Sequence, residues 1–176
     1  MKKVLIVVDM QKDFVDGALG TKEAVAIVDN VVKKIEGFDG DIIVTYDTHP
    51  ETYMETQEGK NLPVPHCIKG TDGWKLDAKV QAAVDKKDFK VIEKPTFGST
   101  ELPEYMKANY NPAEIEIELI GLCTDICVVS NALLLKANFL ETKVSVDVSC
   151  CAGVTPESHQ AALTTMKMCQ VHVIGE

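Results

Sequence analysis

Arginine is absent from the 176-residue chain; all 18 basic side chains are lysine. Two-pronged clamping of carboxylate or phosphate falls to the planar guanidinium group, so its absence disfavours a multiply anionic substrate. No basic block interrupts a formal net charge of −9. Phosphate neutralisation needs clustered cations, which argues against nucleic acid and anionic membranes as partners. No apolar run approaches the ~18 residues that span a bilayer. The opening MKKVLIVVDMQKDF has a basic start, but its apolar part is five residues, Val4 to Val8, ended by Asp9. A secretory h-region is longer, and the segment reads as the first strand of a cytoplasmic protein. The six cysteines include no CxxC pair. Their default role is that of small buried hydrophobes in a reducing compartment. No internal repeat, linker or low-complexity tract is present.

What is there is the composition of one soluble domain, residues 1–176, with 45% hydrophobic and 26% charged residues. Apolar runs alternate with helical patterns. KVLIVVD, DIIVTYD (41–47), FKVIEK (89–94), EIEIELIG (114–121), residues 143–148 and VHVIG read as strands. Residues 21–36, stopped by Gly37, and residues 125–138 and 156–168 read as helices. Strands separated by helices of this length predict an α/β fold. The expected form is a three-layer αβα arrangement around a mostly parallel, Rossmann-like sheet of six strands. The one long irregular segment, 48–75, is of the length that usually carries function. Ligands of such sheets sit beyond the carboxyl ends of the strands. Asp9, Asp47, Lys94 and the 121–127 turn each stand at such an end.

Cys123 and Cys127 stand four apart in LIGLCTDICVVSNALLL. A helix N-terminus supplies unpaired N–H groups and a positive dipole end, which favour a thiolate. Thr124 reads as the N-cap, placing Cys127 in the first turn and Cys123 before the cap. Cys127 is therefore the better nucleophile, and its N–H and that of Cys123 can converge as an oxyanion hole. Plain packing of both thiols between strand and helix is the alternative. A carboxylate to take the thiol proton and a lysine to balance charge would be Asp9 and Lys94.

In YDTHP, Asp47 and His49 are two apart, so on extended backbone they point the same way. With His66 from the same long segment they suit one divalent ion, Zn²⁺ first, Fe²⁺ or Mn²⁺ as alternatives. Glu58 or Glu55 would add an oxygen. His159 reads as helical, behind the site or on the surface, and His172 as a strand residue; neither reads as a ligand.

The assembled set resembles the isochorismatase-like cysteine hydrolases, and within them the nicotinamidases. VVDMQKDFVDGAL is similar to the family's opening motif, DTHP and PHCIKGTDGWKL to its metal segment, EKPTFGS to its lysine motif. GLCTDICV resembles the nucleophile motif and DVSCCAGVTPESHQAAL the C-terminal pattern. The resemblance implies Cys127 as nucleophile, Asp9 as base and then acid, and Lys94 as charge partner. It implies the amides of Cys123 and Cys127 as the oxyanion hole, with a cis peptide between Cys123 and Thr124. Asp47, His49 and His66 would hold the metal, with Glu58 as an additional ligand. Gln11, Phe14 and Phe97 would border the pocket. The implied activity is hydrolysis of a small amide such as nicotinamide through a thioester, by a homo-oligomer. Another small amide or N-carbamoyl compound is the rival substrate, and a ligand-binding member without turnover the rival class. The chain departs from the nicotinamidase pattern in two ways. Leu62 and Pro63 stand where a tryptophan is common before the metal histidine, so the ring wall is expected from Phe97, Tyr53 or Trp74. Cys123 stands where alanine is common.

Overall fold

Five consecutive buried side chains, Val4 to Val8, set the centre of the computed structural model, which describes residues 1–176. They belong to β1 (Lys2–Val8). Alternation sends Leu5 and Val7 to one face of the sheet and Val4, Ile6 and Val8 to the other. A strand buried on both faces is apolar throughout, as parallel strands between two helical layers are.

The remaining strands are β2 (Asp41–Asp47), β3 (Phe89–Lys94), β4 (Ile115–Leu122), β5 (Lys143–Ala152) and β6 (His172–Ile174). Their spatial order is β3-β2-β1-β4-β5-β6, and every neighbouring pair is parallel. The expected α/β architecture is thus present, with a wholly parallel sheet. Order reverses between β1 and β4, and the carboxyl ends flanking such a switch point form the natural ligand crevice.

Seven helices complete the layers. Helix α1 (Lys12–Val15) is a single turn, and α2 (Lys22–Gly37) begins at Thr21, whose hydroxyl accepts the Ala24 N–H at 3.0 Å. Gly37 is its last residue rather than the stop beyond it. Helix α3 (Gln57–Asn61), after a 3₁₀ turn at Tyr53–Glu55, gives structure to the segment read as irregular. Helices α4 (Ala78–Val84) and α5 (Glu101–Asn109) are additions to the sequence reading. Asp77 caps α4 by accepting from Lys79 and Val80. Helices α6 (Val129–Asn138) and α7 (Pro156–Met168) follow. Ile27, Val31 and Ile35 of α2 pack with Val80 and Val84 of α4 on one face of the sheet. Leu102, Leu135 and Leu163, from α5, α6 and α7, pack on the other.

Two local departures shape the site. The turn Thr124–Val128 is a wide π-helical turn, closed by Val128 N–H to Cys123 O at 3.0 Å. Thr124 is its first residue, not a side-chain cap, and the cap position falls on Cys123. Strand β5 also runs four residues past the expected 148, because the β4–β5 register slips between Leu119 and Gly121.

Gly121 has φ +116°, and a Cβ there would overlap the Val8 carbonyl oxygen. Only glycine meets both demands. Gly121→Ala should lower stability by about 2 kcal/mol or more, read as a lower urea midpoint. An unchanged midpoint would mean that β1 gives way at no cost.

Candidate active site

Chain ends of four adjacent strands meet in one crevice. Asp9 follows β1 with φ +48°, held by its own N–H to Thr45 O at 3.2 Å. Its side chain is fully buried and accepts the Thr45 hydroxyl on Oδ1 at 2.7 Å. Lys94, the last residue of β3, lies with Nζ 2.7 Å from Asp9 Oδ2, 3.5 Å from Asp47 Oδ1 and 3.4 Å from Cys127 Sγ. Its fourth neighbour is the Thr96 carbonyl at 2.9 Å. Asp9 Oδ2 accepts no well-directed hydrogen bond besides this ionic contact. A buried carboxylate oxygen with spare lone-pair capacity beside a thiol is suited to take a proton.

The electrostatics follow from burial. Burial pushes the Asp9 carboxyl up, opposed by Lys94. Burial and then Asp9 push the Cys127 thiol well up, again opposed by Lys94. Burial alone would depress Lys94, but Asp9, Cys127 and Asp47 together raise it, so it stays charged. One ammonium thus faces two acids that resist ionising together. The helix terminus does not outweigh burial at Cys127; the carboxylate and the lysine that the sequence reading set beside this thiol are both within the same buried group.

The second group lies against the first. Asp47 Oδ2 is 2.8 Å from His49 Nε2 and 3.5 Å from His66 Nε2. Glu58 Oε1 lies 3.8 Å and 3.7 Å from the same two nitrogens. All four donor atoms fall within 4.8 Å of one another. The long segment folds back to allow this, since His49 N–H donates to Cys67 O and Lys69 N–H to His49 O, each at 3.0 Å. Asp13 secures the return by accepting the Cys67 N–H at 2.8 Å. Glu55 is exposed and outside the group.

A cavity of about 200 Å³ opens onto both groups. Asp47, Glu58, His66, Cys123 and Cys127 line its chemical side, and Phe14, Leu62, Phe97, Ile126 and Val154 much of its apolar wall. Of the expected ring-wall candidates only Phe97 lines it. Tyr53 is fully buried behind the imidazoles, its ring 5.0 Å from each. Trp74 packs against Tyr46 instead, the rings tilted by 47° with centroids 5.2 Å apart. Gln11 does not border the cavity, contrary to expectation. Its carboxamide donates to Asp47 O and Trp74 O and accepts from Asp47 N–H, all at 2.8 Å, and so fixes the backbone of Asp47. The cis peptide is at Leu122–Cys123, one bond earlier than expected.

A family model for the isochorismatase domain matches residues 3–175. The chain belongs to the isochorismatase family. It is 30% identical over 177 residues to an uncharacterized isochorismatase family protein of Bacillus subtilis, covering 93% of each chain. It is 28% identical over 189 residues to the nicotinamidase/pyrazinamidase of Mycobacterium tuberculosis, covering 98% of each. Among solved structures, nicotinamidase/pyrazinamidase from Bacillus subtilis matches with TM-score 0.85 at 28% identity, over 98% of this chain and 99% of that one. Pyrazinamidase of Pyrococcus horikoshii, solved in complex with zinc, matches with TM-score 0.83 at 26% identity over 100% of both chains. The nicotinamidases among these relatives are hydrolases acting on amide C–N bonds.

Within this family member the donor set fits a divalent ion. Two imidazoles and two carboxylates suit a borderline cation with positions left open. His66 Nδ1 lies 2.8 Å from Val64 O, so the ring N–H is taken up there and the Nε2 lone pair is left for a ligand role. Burial alone would lower the His66 pKa, yet Asp47, the Val64 carbonyl and Glu58 raise it. His49, His66 and Lys94 outweigh burial and hold Asp47 well below the usual carboxylate range. Positive charge is thus favoured at this point.

His159, read from the sequence as helical and behind the site or on the surface, lies on α7 with its Nδ1 2.8 Å from Thr124 Oγ1 in the turn that carries Cys127. Asp125 carries a second tie, accepting Val154 N–H at 3.2 Å. Neither partner is marked by spacing, since both contacts cross about thirty residues of chain.

Two outcomes are expected. Asp9→Asn removes a negative charge that pushes the Cys127 thiol up while leaving Lys94 in place. Iodoacetamide labelling of Cys127 at pH 7 should therefore accelerate about tenfold or more. An unchanged rate would place the thiol outside the influence of Asp9, and slower labelling would mean that Asp9 acts on it chiefly as proton acceptor. His49→Ala should lose about one equivalent of bound divalent metal with an unchanged circular dichroism spectrum; retention of metal would exclude this donor set.

Proposed function

We propose that the protein is a metal-assisted cysteine amidohydrolase of the nicotinamidase type, converting nicotinamide or a close analogue to the acid and ammonia. One observation carries the reading. Asp9, Lys94 and Cys127 meet just beneath a cavity that Cys127 lines, and Asp47, Glu58 and His66 of the four-donor group line the same cavity. Relatives named nicotinamidase/pyrazinamidase support the amide class. A cavity of about 200 Å³ is below the ~300 Å³ where drug-sized pockets begin, which suits one small ring with an amide. The apolar wall and the absence of arginine favour a neutral compound over a multiply charged one.

In this reading Asp9 takes the Cys127 proton as sulfur attacks the amide carbon. The amides of Cys123 and Cys127 receive the developing oxyanion. Asp9 then returns the proton to the departing nitrogen, so ammonia leaves and a thioester remains. A water, deprotonated by the same carboxylate, attacks the thioester, and its proton goes back to sulfur with release of the acid. Lys94 keeps one positive charge opposite the negative charge that passes between Asp9, sulfur and back. Asp47, His49 and His66, with Glu58, are the residues to hold the ion, Zn²⁺ first and Fe²⁺ or Mn²⁺ as alternatives. When bound, the ion supplies a Lewis-acid contact for a ring nitrogen and so orients the substrate. Phe14, Phe97 and Leu62 wall the ring. We place the enzyme in the cytoplasm, as a homo-oligomer.

The test is ammonia release from nicotinamide and pyrazinamide by metal-loaded protein. Cys127→Ala should lower turnover at least ~10³-fold, whereas Cys123→Ala, which leaves the backbone amide, should keep most of it. Release of ammonia from neither amide would remove the substrate assignment; full activity in Cys127→Ala would remove the mechanism.

A further inference from the structure

The turn that carries both cavity-lining thiols is fastened at several points: Asp125 accepts the Val154 N–H, Asn131 donates to the Cys127 carbonyl, and His159 reaches the one buried hydroxyl of the turn. Thr124 lies between Cys123 and Cys127 and is fully buried. Its hydroxyl is 2.8 Å from Nδ1 of His159, on α7. A buried hydroxyl that loses its partner is left unsatisfied, so this contact favours one position of the turn. His159 is not itself at the reacting atoms, since it does not line the active cavity. It stands at a separate cavity of about 230 Å³, whose lining includes Glu23, Ile27, Cys151, Pro156 and His159. Gly153 lines both spaces, and a Cβ at Gly153 would press on the Cβ and backbone of His159. The imidazole-bearing residue is thus packed against the thin wall between the two cavities, with its Nδ1 on the nucleophile turn. Burial lowers its pKa against a smaller opposing effect of Asp125, so a neutral ring makes this bond at neutral pH.

We propose that His159 is a positioning residue: through Thr124 it fixes the backbone of residues 123–127, and with it the Cys127 thiol and the two amides that face the reacting carbonyl. The role of those groups rests on the function proposed above. The positioning itself does not require a particular amide. Misplaced oxyanion donors penalise the transition state more than substrate binding. Loss of the contact should therefore appear in kcat and not in KM.

The experiment uses metal-loaded full-length protein and four variants: His159→Leu, His159→Asn, Thr124→Val and the Leu/Val double. His159→Leu and Thr124→Val should each lower kcat about tenfold, the effect of one lost buried hydrogen bond, with KM within about twofold of the parent. The double should fall no further than the worse single, because both remove one interaction. His159→Asn, whose amide stands as far from the backbone as Nδ1, should keep most of kcat. Amide hydrogen exchange over residues 122–129 should quicken about tenfold in His159→Leu, with other segments unchanged. Multiplicative losses in the double, or an Asn variant as impaired as the Leu variant, would overturn the proposal. So would unchanged exchange over 122–129, and that measurement needs no substrate. It separates failure of this inference from failure of the amide assignment, which shows instead as an inactive parent. Should His159→Leu lose its fold, Thr124→Val and His159→Asn carry the same comparison.

Discussion

A buried ammonium group with too many anions around it governs this molecule. Lys94 Nζ touches Asp9, Asp47 and Cys127 together, with no exposure to solvent at its side chain. Charges taken from water persist only when paired, and removing one partner leaves the others uncompensated. The lysine therefore ties two chemistries into one site. On one side it holds Asp9 beside a thiol. On the other it shares Asp47 with two imidazoles and Glu58. Each half is electrostatically incomplete without it, and its direct partners Asp9 and Asp47 stand at the ends of the neighbouring strands.

Topology brings them there. Strand β1 is central, and the reversal of order beside it leaves the carboxyl ends of β1 and β4 without a crossing connection above them. Asp9 caps one of those ends and the Cys123–Cys127 turn continues the other. Strands β2 and β3 add Asp47 and Lys94 in the next two places, paired in register as Asp47 opposite Lys94. The apolar interior of the sheet fixes the register, and the register fixes the chemistry.

Much of this was legible in the chain. The limits of β2, β3 and α7 coincide with the sequence reading, because apolar runs and the Thr155–Pro156 start are local signals. Asp9, Asp47 and Lys94 were named from strand ends, Cys127 from its place in a first helical turn, His49 from its spacing to Asp47, and His66 and Glu58 from the long segment that follows. Their roles remain part of the proposed function. What escaped was set by contacts distant in sequence. Helix α5 hides behind Pro103 and a weak apolar stripe. Gln11 was set at the pocket by the family resemblance, but its partners come from Asp47 and Trp74. The wide turn at Thr124–Val128 and the link from Thr124 to α7 depend on how α7 packs, which no local pattern records.

The carboxamide of Gln11 has a wider meaning for the sheet. Strand β1 ends at Val8, yet Gln11 offers Asp47 one donor and one acceptor in the spacing of a peptide unit. A side chain thereby supplies an extra rung of the β1–β2 ladder after the main chain has turned away. Glutamate in that place would set a charged oxygen against the Asp47 carbonyl, and asparagine is a methylene too short. The backbone is free to leave the ladder at Asp9 and adopt its left-handed bend because a surrogate amide keeps the seam closed behind it.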